Sequence, residues 1–140
     1  MIFHSFFSQE ERISFGGSGF IEIQFCKLPQ STSLRNIVSV DSVKNWQNDS
    51  LYIYIDDENI FYKEYSHIFN CCIYNNLKKG TVDLCGINYY EPLLIDSLIQ
   101  RLYNDKPKEY ETVIEWLIKA KDYNGFYILG VWITNSDSLI

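Results

Sequence analysis

The chain reads as an α+β domain: a mainly antiparallel sheet, with a C-terminal helix hairpin packed on one face and a final strand returning into the sheet. Three observations predict this. Leu51-Tyr52-Ile53-Tyr54-Ile55 is a run of aliphatic and aromatic residues suited to a strand. Two segments near residues 93–102 and 110–120 place apolar residues at helical spacing, with a short linker containing Pro107 between them. After the second, Asn124-Gly125 stops the helix, and Phe126 to Trp132 follows as an apolar strand.

From the N-terminus, residues 1–8 carry Ile2, Phe3, Phe6 and Phe7 and suit a first strand or a short helix. Gly16-Gly17-Ser18-Gly19 predicts a hairpin turn, because glycine reaches positive φ without a clash. Phe20 to Phe25 alternates about Glu22 and Gln24, which predicts a strand with Ile21, Ile23 and Phe25 facing inward. Residues 28–38 read as a loop running into a short strand at Ile37-Val38. Val40 to Gln47 then reads as one or two helical turns capped by Ser39 or Asp41. In the Leu51–Ile55 strand, tyrosines take one side and aliphatics the other, and the phenol side suits a half-wet surface.

Asp56-Asp57-Glu58-Asn59 breaks that strand with a charged turn, and residues 60–69 fit helix or strand equally. Cys71 to Tyr74 and Thr81 to Cys85 read as two further short strands about a turn at Asn75–Gly80. In the first long helix, Leu93, Leu94, Leu98, Ile99 and Leu102 share one side. Pro107 fits the first position of the second helix, which would place Glu109 and Glu111 in its first turn and Lys119 and Lys121 in its last. Val113, Ile114, Leu117 and Ala120 form that helix's apolar face, with Tyr110 at its edge. The tail from Thr134 onward is polar and expected to fray.

The chain has 140 residues, a single domain (1–140) by length. A domain of that size buries roughly two-thirds of its unfolded surface, so it needs neither metal nor disulfide to fold. Eighteen acidic residues face twelve basic ones, a net charge of −6. That balance disfavours direct binding to a phosphate backbone and favours basic partners. The apolar N-terminal stretch lacks a basic leader, and no run reaches the ~18 apolar residues of a membrane span, so a cytoplasmic protein is expected.

No motif for chemistry emerges. The glycine run is followed by a strand and has no lysine, unlike a phosphate-cradling loop. Cys26, Cys71, Cys72 and Cys85 match no zinc or redox spacing and read as core thiols. His67 stands beside Ser66 without a carboxylate in sequence to orient it. Asp56-Asp57-Glu58 lacks the spaced ligands of a calcium loop. No cofactor, metal or catalytic group is expected. The acidic run beside tyrosines fits a docking patch, made of Asp56, Asp57 and Glu58 with Tyr54, Tyr62 and Glu64 beside them.

The segment from Gly86 to Val131, GINYYEPLLIDSLIQRLYND followed by KPKEYETVIEWLIKAKDYNGFYILGV, resembles small bacterial immunity proteins, the antitoxins of contact-dependent growth-inhibition and polymorphic toxin systems. The resemblance lies in texture and element order over about a third of the chain, and carries over no individual residue. It implies a non-enzymatic protein that binds a cognate toxin domain, often a basic nuclease, and blocks its active site. Two other functions stay open: a small enzyme or ligand-binding domain with a pocket near His67, Cys85 and Glu64, and a homodimeric adaptor module. The oligomeric state is not set by the sequence.

Overall fold

A computed structural model describes residues 1–16, 19–43 and 46–130. It is an α+β fold, with a seven-stranded sheet whose every pairing is antiparallel. The strands are β1 (Phe3–His4), β2 (Phe20–Phe25), β3 (Leu51–Tyr54), β4 (Cys72–Tyr74), β5 (Lys79–Gly80), β6 (Ile87–Tyr90) and β7 (Phe126–Leu129). The helices are α1 (Gln9–Gly16), α2 (Leu34–Ile37), α3 (Glu58–Tyr65), α4 (Ile95–Asp105) and α5 (Tyr110–Ala120). The spatial order is β1-β3-β2-β7-β6-β4-β5, so the last strand lies at the centre, paired with β2 and β6.

Both faces of this sheet are covered. One carries Ile21, Ile23, Phe25, Ile53, Phe126 and Ile128, packed against Phe61 and Tyr65 of α3, Leu98 and Leu102 of α4, and Val113 and Leu117 of α5. Trp116 stacks flat on Phe25 at 4.1 Å, and its indole N–H donates to the Asp49 carbonyl at 2.9 Å. The other face is buried beneath α1, α2 and the loops around them, through Ile37, Val38, Val43, Tyr89, Tyr127 and Leu129 and through Phe6, Phe20 and Tyr52. Every residue of β2 is therefore buried, including Glu22 and Gln24. Alternation named the helix-facing side correctly, but a second covering layer has no signature within the strand itself.

Several local expectations are corrected. The glycine run joins a helix to a strand: α1 ends at Gly16, where an added Cβ would press on the Tyr54 ring, and Gly17 and Ser18 lie outside the described residues. Ile37 ends a short helix, not a strand, because the Ser33 hydroxyl caps the Asn36 N–H. Residues 58–65 form α3. Thr81 to Cys85 is no strand. The Asp83 carboxylate takes the Cys85 N–H at 2.9 Å, and the buried Asn88 amide clasps both the N–H and C=O of Asp83. The hairpin partner of β4 is instead Lys79–Gly80, and β6 supplies a strand the sequence reading did not single out. Leu93 sits in a one-turn 3-10 segment, Pro92–Leu94, and is 96% exposed; the buried stripe of α4 is Ile95, Leu98 and Leu102. Val131, Trp132 and the tail fall outside the described residues.

The α4–α5 connection departs most from expectation. Pro107 is not the first helical residue: its carbonyl accepts the Tyr110 N–H, and α5 begins there. Lys106 and Glu109 both adopt the left-handed conformation, at φ 48° and 60°. That costs roughly 1–2 kcal/mol per non-glycine residue. The turn is held from two sides. The Tyr65 hydroxyl donates to the Lys108 carbonyl at 2.5 Å, and the Lys108 N–H donates to Glu64 at 2.8 Å. The Glu109 carboxylate accepts the Ile2 N–H at 2.6 Å and the Phe3 N–H at 3.2 Å. Glu109 thus occupies backbone donors of the edge strand β1, which would otherwise be free to pair with another chain.

Glu109→Ala is expected to lower unfolding stability by about 2–3 kcal/mol, since two charge-assisted bonds are lost while the strained φ is kept. Glu109→Gly should cost about 1 kcal/mol less than Glu109→Ala, because it relieves that strain. Urea denaturation of the two variants checks both the loss and the difference.

Candidate partner-binding surface

The acidic run sits where β3 leaves the sheet. Asp56 and Asp57 lie in a one-turn 3-10 segment, Ile55–Asp57, and Glu58 opens α3. Carboxylates at this end complement the positive pole of the helix. That accounts for their tolerance but leaves them without cationic partners. The ion pairs among the described residues are Lys27–Asp49, His67–Asp105 and Lys121–Asp96, and none involves Asp56, Asp57 or Glu58. Apolar side chains stand exposed around the run: Ile55 at 38%, Ile60 at 40% and Tyr62 at 43%.

The structure divides the other sequence-derived candidates. Tyr54 lies on the opposite face of the sheet, half-buried and packed edge-on against Phe15 with Phe20 alongside. Glu64 is committed to the Lys108 N–H. Asp57 lies toward β1, where it opposes the burial that holds the His4 imidazole below its ordinary value. Tyr62 lies toward Tyr74 of β4. Asp56 is thus exposed with Asp57 and Glu58 half-buried beside it, Tyr62 lies one turn further along α3, and Tyr54 and Glu64 anchor the elements that carry the run.

A second polar centre, not anticipated from the sequence, lies beneath α1. Arg12 is 2% exposed and Glu22 fully buried. The guanidinium carbon sits 6.0 Å from the ring centres of Phe20 and Trp46 and 5.8 Å from that of Tyr52, within cation–π range. One Glu22 oxygen accepts from the Gln24 amide at 2.9 Å and the Ser50 hydroxyl at 2.7 Å. The other, and Nε and Nη1 of Arg12, have no hydrogen-bond partner. Burial pushes the Glu22 carboxyl up to about 7, against its hydrogen bonds and the nearby Arg12 charge. Tyr52 is held in place by the Gln47 backbone, whose N–H it accepts and whose carbonyl it donates to. The available signal was an arginine inside an otherwise weakly apolar helix, together with an acid in a strand; neither alone marks a buried pair.

The groups weighed for catalysis are dispersed. His67 meets Asp105 at 3.0 Å on an exposed surface, a carboxylate supplied from α4 that local sequence did not show. Cys26 and Cys72 are buried free thiols, and burial pushes Cys72 up to about 11. Cys85 is exposed, contrary to its expected place in the core. The larger surface clefts are lined by other residues: one by Phe7, Glu10, Trp46 and Gln47, another by Asp49, Glu115 and Trp116, and a third by Tyr89, Leu93 and Asn124. Among the described residues no group of three or more His, Cys, Asp and Glu side chains could hold a metal ion, and no helix is long and apolar enough to cross a membrane.

The chain matches no protein-family model, and no curated protein or solved structure shows detectable similarity to it.

The Glu22 shift has a definite sign. Its folded-state value of about 7 lies above the 4.5 of an exposed glutamate, so the native chain keeps the proton after the unfolded chain has lost it. The stability that Glu22 contributes is complete below pH 4.5 and declines as pH rises to about 7, by up to about 3 kcal/mol. Denaturant unfolding of wild type and Glu22→Gln from pH 5 to pH 8 should show wild-type stability falling relative to the variant, then levelling above pH 7. A constant difference across that window is the contrary result.

Proposed function

We propose that this chain is an immunity protein, which binds a basic toxin domain and neutralises it by covering its active site. One observation supports the reading above the others: Asp56, Asp57 and Glu58 have no ion-pair partner among the described residues, and exposed Ile55, Ile60 and Tyr62 surround them. Unpaired carboxylates can meet a partner's cations without first breaking an internal salt bridge, and give up only their hydration. The apolar side chains around them supply area to remove from water. A toxin that acts on nucleic acid needs a positive cleft to hold the phosphate backbone. An acidic ridge flanked by apolar anchors can fill such a cleft and hasten the encounter. An interface of standard size, about 1,600 Å² in total, fits on one side of a domain this small.

The toxin-facing set is then Asp56, Asp57, Glu58 and Tyr62, with Tyr54 and Glu64 holding the supporting elements. Co-expression with the toxin domain encoded beside this chain should give a co-purifying complex and restore growth. The double reversal Asp56→Lys with Asp57→Lys should weaken that complex at least tenfold, mainly through slower association, and flatten its salt dependence. Its circular dichroism should match wild type, because neither side chain supports the core. Growth arrest despite abundant soluble wild-type protein would count against the reading.

A further inference from the structure

The recess beneath α1 has the composition of a cation site. Three aromatic rings, from Phe20, Trp46 and Tyr52, surround one guanidinium, and a fully buried carboxylate stands close by. Planar guanidinium suits such a setting, because it stacks on rings and donates in a fixed fork. The present occupant uses the recess incompletely. Arg12 leaves Nε and Nη1 unpaired, and Glu22 leaves Oε1 unpaired, although all three atoms are shut away from solvent. Unsatisfied buried charge of this kind is costly.

The helix bringing Arg12 is held by few side chains. Arg12 is its only buried residue, whereas Ile13 is 48% and Phe15 54% exposed. Eight residues are too few to persist as an isolated helix, so α1 depends on Arg12 and on Phe15, whose half-exposed ring packs against His4, Phe6, Phe20 and Tyr54. Beside it runs a cleft of about 530 Å³, lined by Phe7, Ser8, Gln9, Glu10, Trp46 and Gln47. Trp46 is common to the cleft and the ring of aromatics, so the cleft leads to the recess wall. Glu10 and Lys27 both line it, the lysine being paired with Asp49.

We propose that this recess is a guanidinium-binding site which the chain fills with its own Arg12, and that an arginine side chain of a basic protein partner takes that place when α1 lifts. The occupant is fixed by complementarity: a carboxylate with a spare oxygen, three ring faces, and a resident group of the same chemistry. A free arginine is not tethered to the helix backbone and can turn its fork onto Glu22 Oε1. The inference does not depend on the proposed immunity function, since the recess and the acidic run belong to opposite faces of the sheet.

The test uses the full chain and the probe N-acetyl-arginine methylamide, with the lysine analogue at equal ionic strength as control. The indole N–H resonance of Trp46 is followed by NMR. Arg12→Ala should bind the arginine probe at least tenfold more tightly than wild type does, and the lysine probe at least fivefold more weakly than the arginine probe. Adding Glu22→Gln to Arg12→Ala should reduce arginine binding at least tenfold. A folded Arg12→Ala chain that takes up no probe would mean that only water fills the gap, and would overturn the proposal, as would arginine binding unaffected by Glu22→Gln. Should Arg12→Ala fail to fold, hydrogen exchange on wild type decides. Amides of Gln9–Gly16 should exchange at least fivefold faster with the arginine probe than with the lysine probe, and equal rates would refute the site.

Discussion

The pairing of β2 with β7 holds this fold together. Glu22, Ile23, Gln24 and Phe25 lie opposite Leu129, Ile128, Tyr127 and Phe126. On one side of that seam stand β3 and β1, and on the other β6, β4 and β5. Among the described residues no other strand pairing joins the halves. The two partners are separated by about a hundred residues, so the seam closes only when most of the chain has been made and ordered. A domain organised this way pays loop-closure entropy before its long-range contacts return any stability, and its folding is correspondingly non-local. The helix hairpin shares this dependence: α5 leads directly into β7, and Gly125, at φ 78°, makes the bend where an added Cβ would strike the Tyr90 carbonyl.

A sheet covered on both faces has to accommodate polar side chains that a half-exposed sheet would leave in water. Asn88 does so completely, bonding the Asp83 backbone on its own side and the Ile128 carbonyl across the sheet. It thereby ties the 83–86 turn to the central strand. The phenols behave alike: Tyr89 donates to the Asn124 carbonyl, Tyr127 to that of Ile37 and Tyr90 to that of Phe69. Each buries a large ring while anchoring a loop, so the tyrosine content serves the interior as much as the surface. Arg12 and Glu22 are satisfied less completely, with buried atoms left over, as are Gln47 Oε1 and Asp49 Oδ1. Residues that a fold satisfies incompletely are where stability has been set against something else.

The outer surface divides in the same manner. Asp96 and Asp49 meet lysines, Asp105 meets the His67 imidazole, and Glu64 and Glu109 bind backbone N–H groups. These acids maintain the chain's own architecture. Among the described residues Asp56, Asp57 and Glu58 do neither, and Ile55, Ile60 and Tyr62 next to them remain exposed. Net negative charge alone says only that basic partners are favoured. Glu10, Asp41, Glu91, Glu111, Glu115 and Asp122 likewise make no ion pair among the described residues, so what sets the start of α3 apart is three consecutive carboxylates beside exposed Ile55 and Ile60.

How much of this was legible beforehand depended on how far apart the deciding residues lie. The α+β class, the β3 run and the apolar face of α5 all follow from periodicities and propensities within a dozen residues, whereas α5 ends at Ala120, ahead of the expected stop at Asn124-Gly125. Those physical causes are local, and so is the sequence that records them. The second covering layer over Glu22, the position of β7 between β2 and β6, and the bond from Glu109 to residues 2 and 3 have no local trace. Each depends on groups brought together by the tertiary structure, some of them more than a hundred positions apart. Tyr54 and Glu64 carried the residue types of a binding patch, yet Tyr54 faces the layer beneath α1 and Glu64 a strained turn. By itself the sequence determined the α+β class, a few strongly patterned segments such as β3 and α5, and that the chain carries excess negative charge. Only the tertiary structure decided which carboxylates are left facing solvent without a partner, because that depends on where every other hydrogen-bond donor ends up.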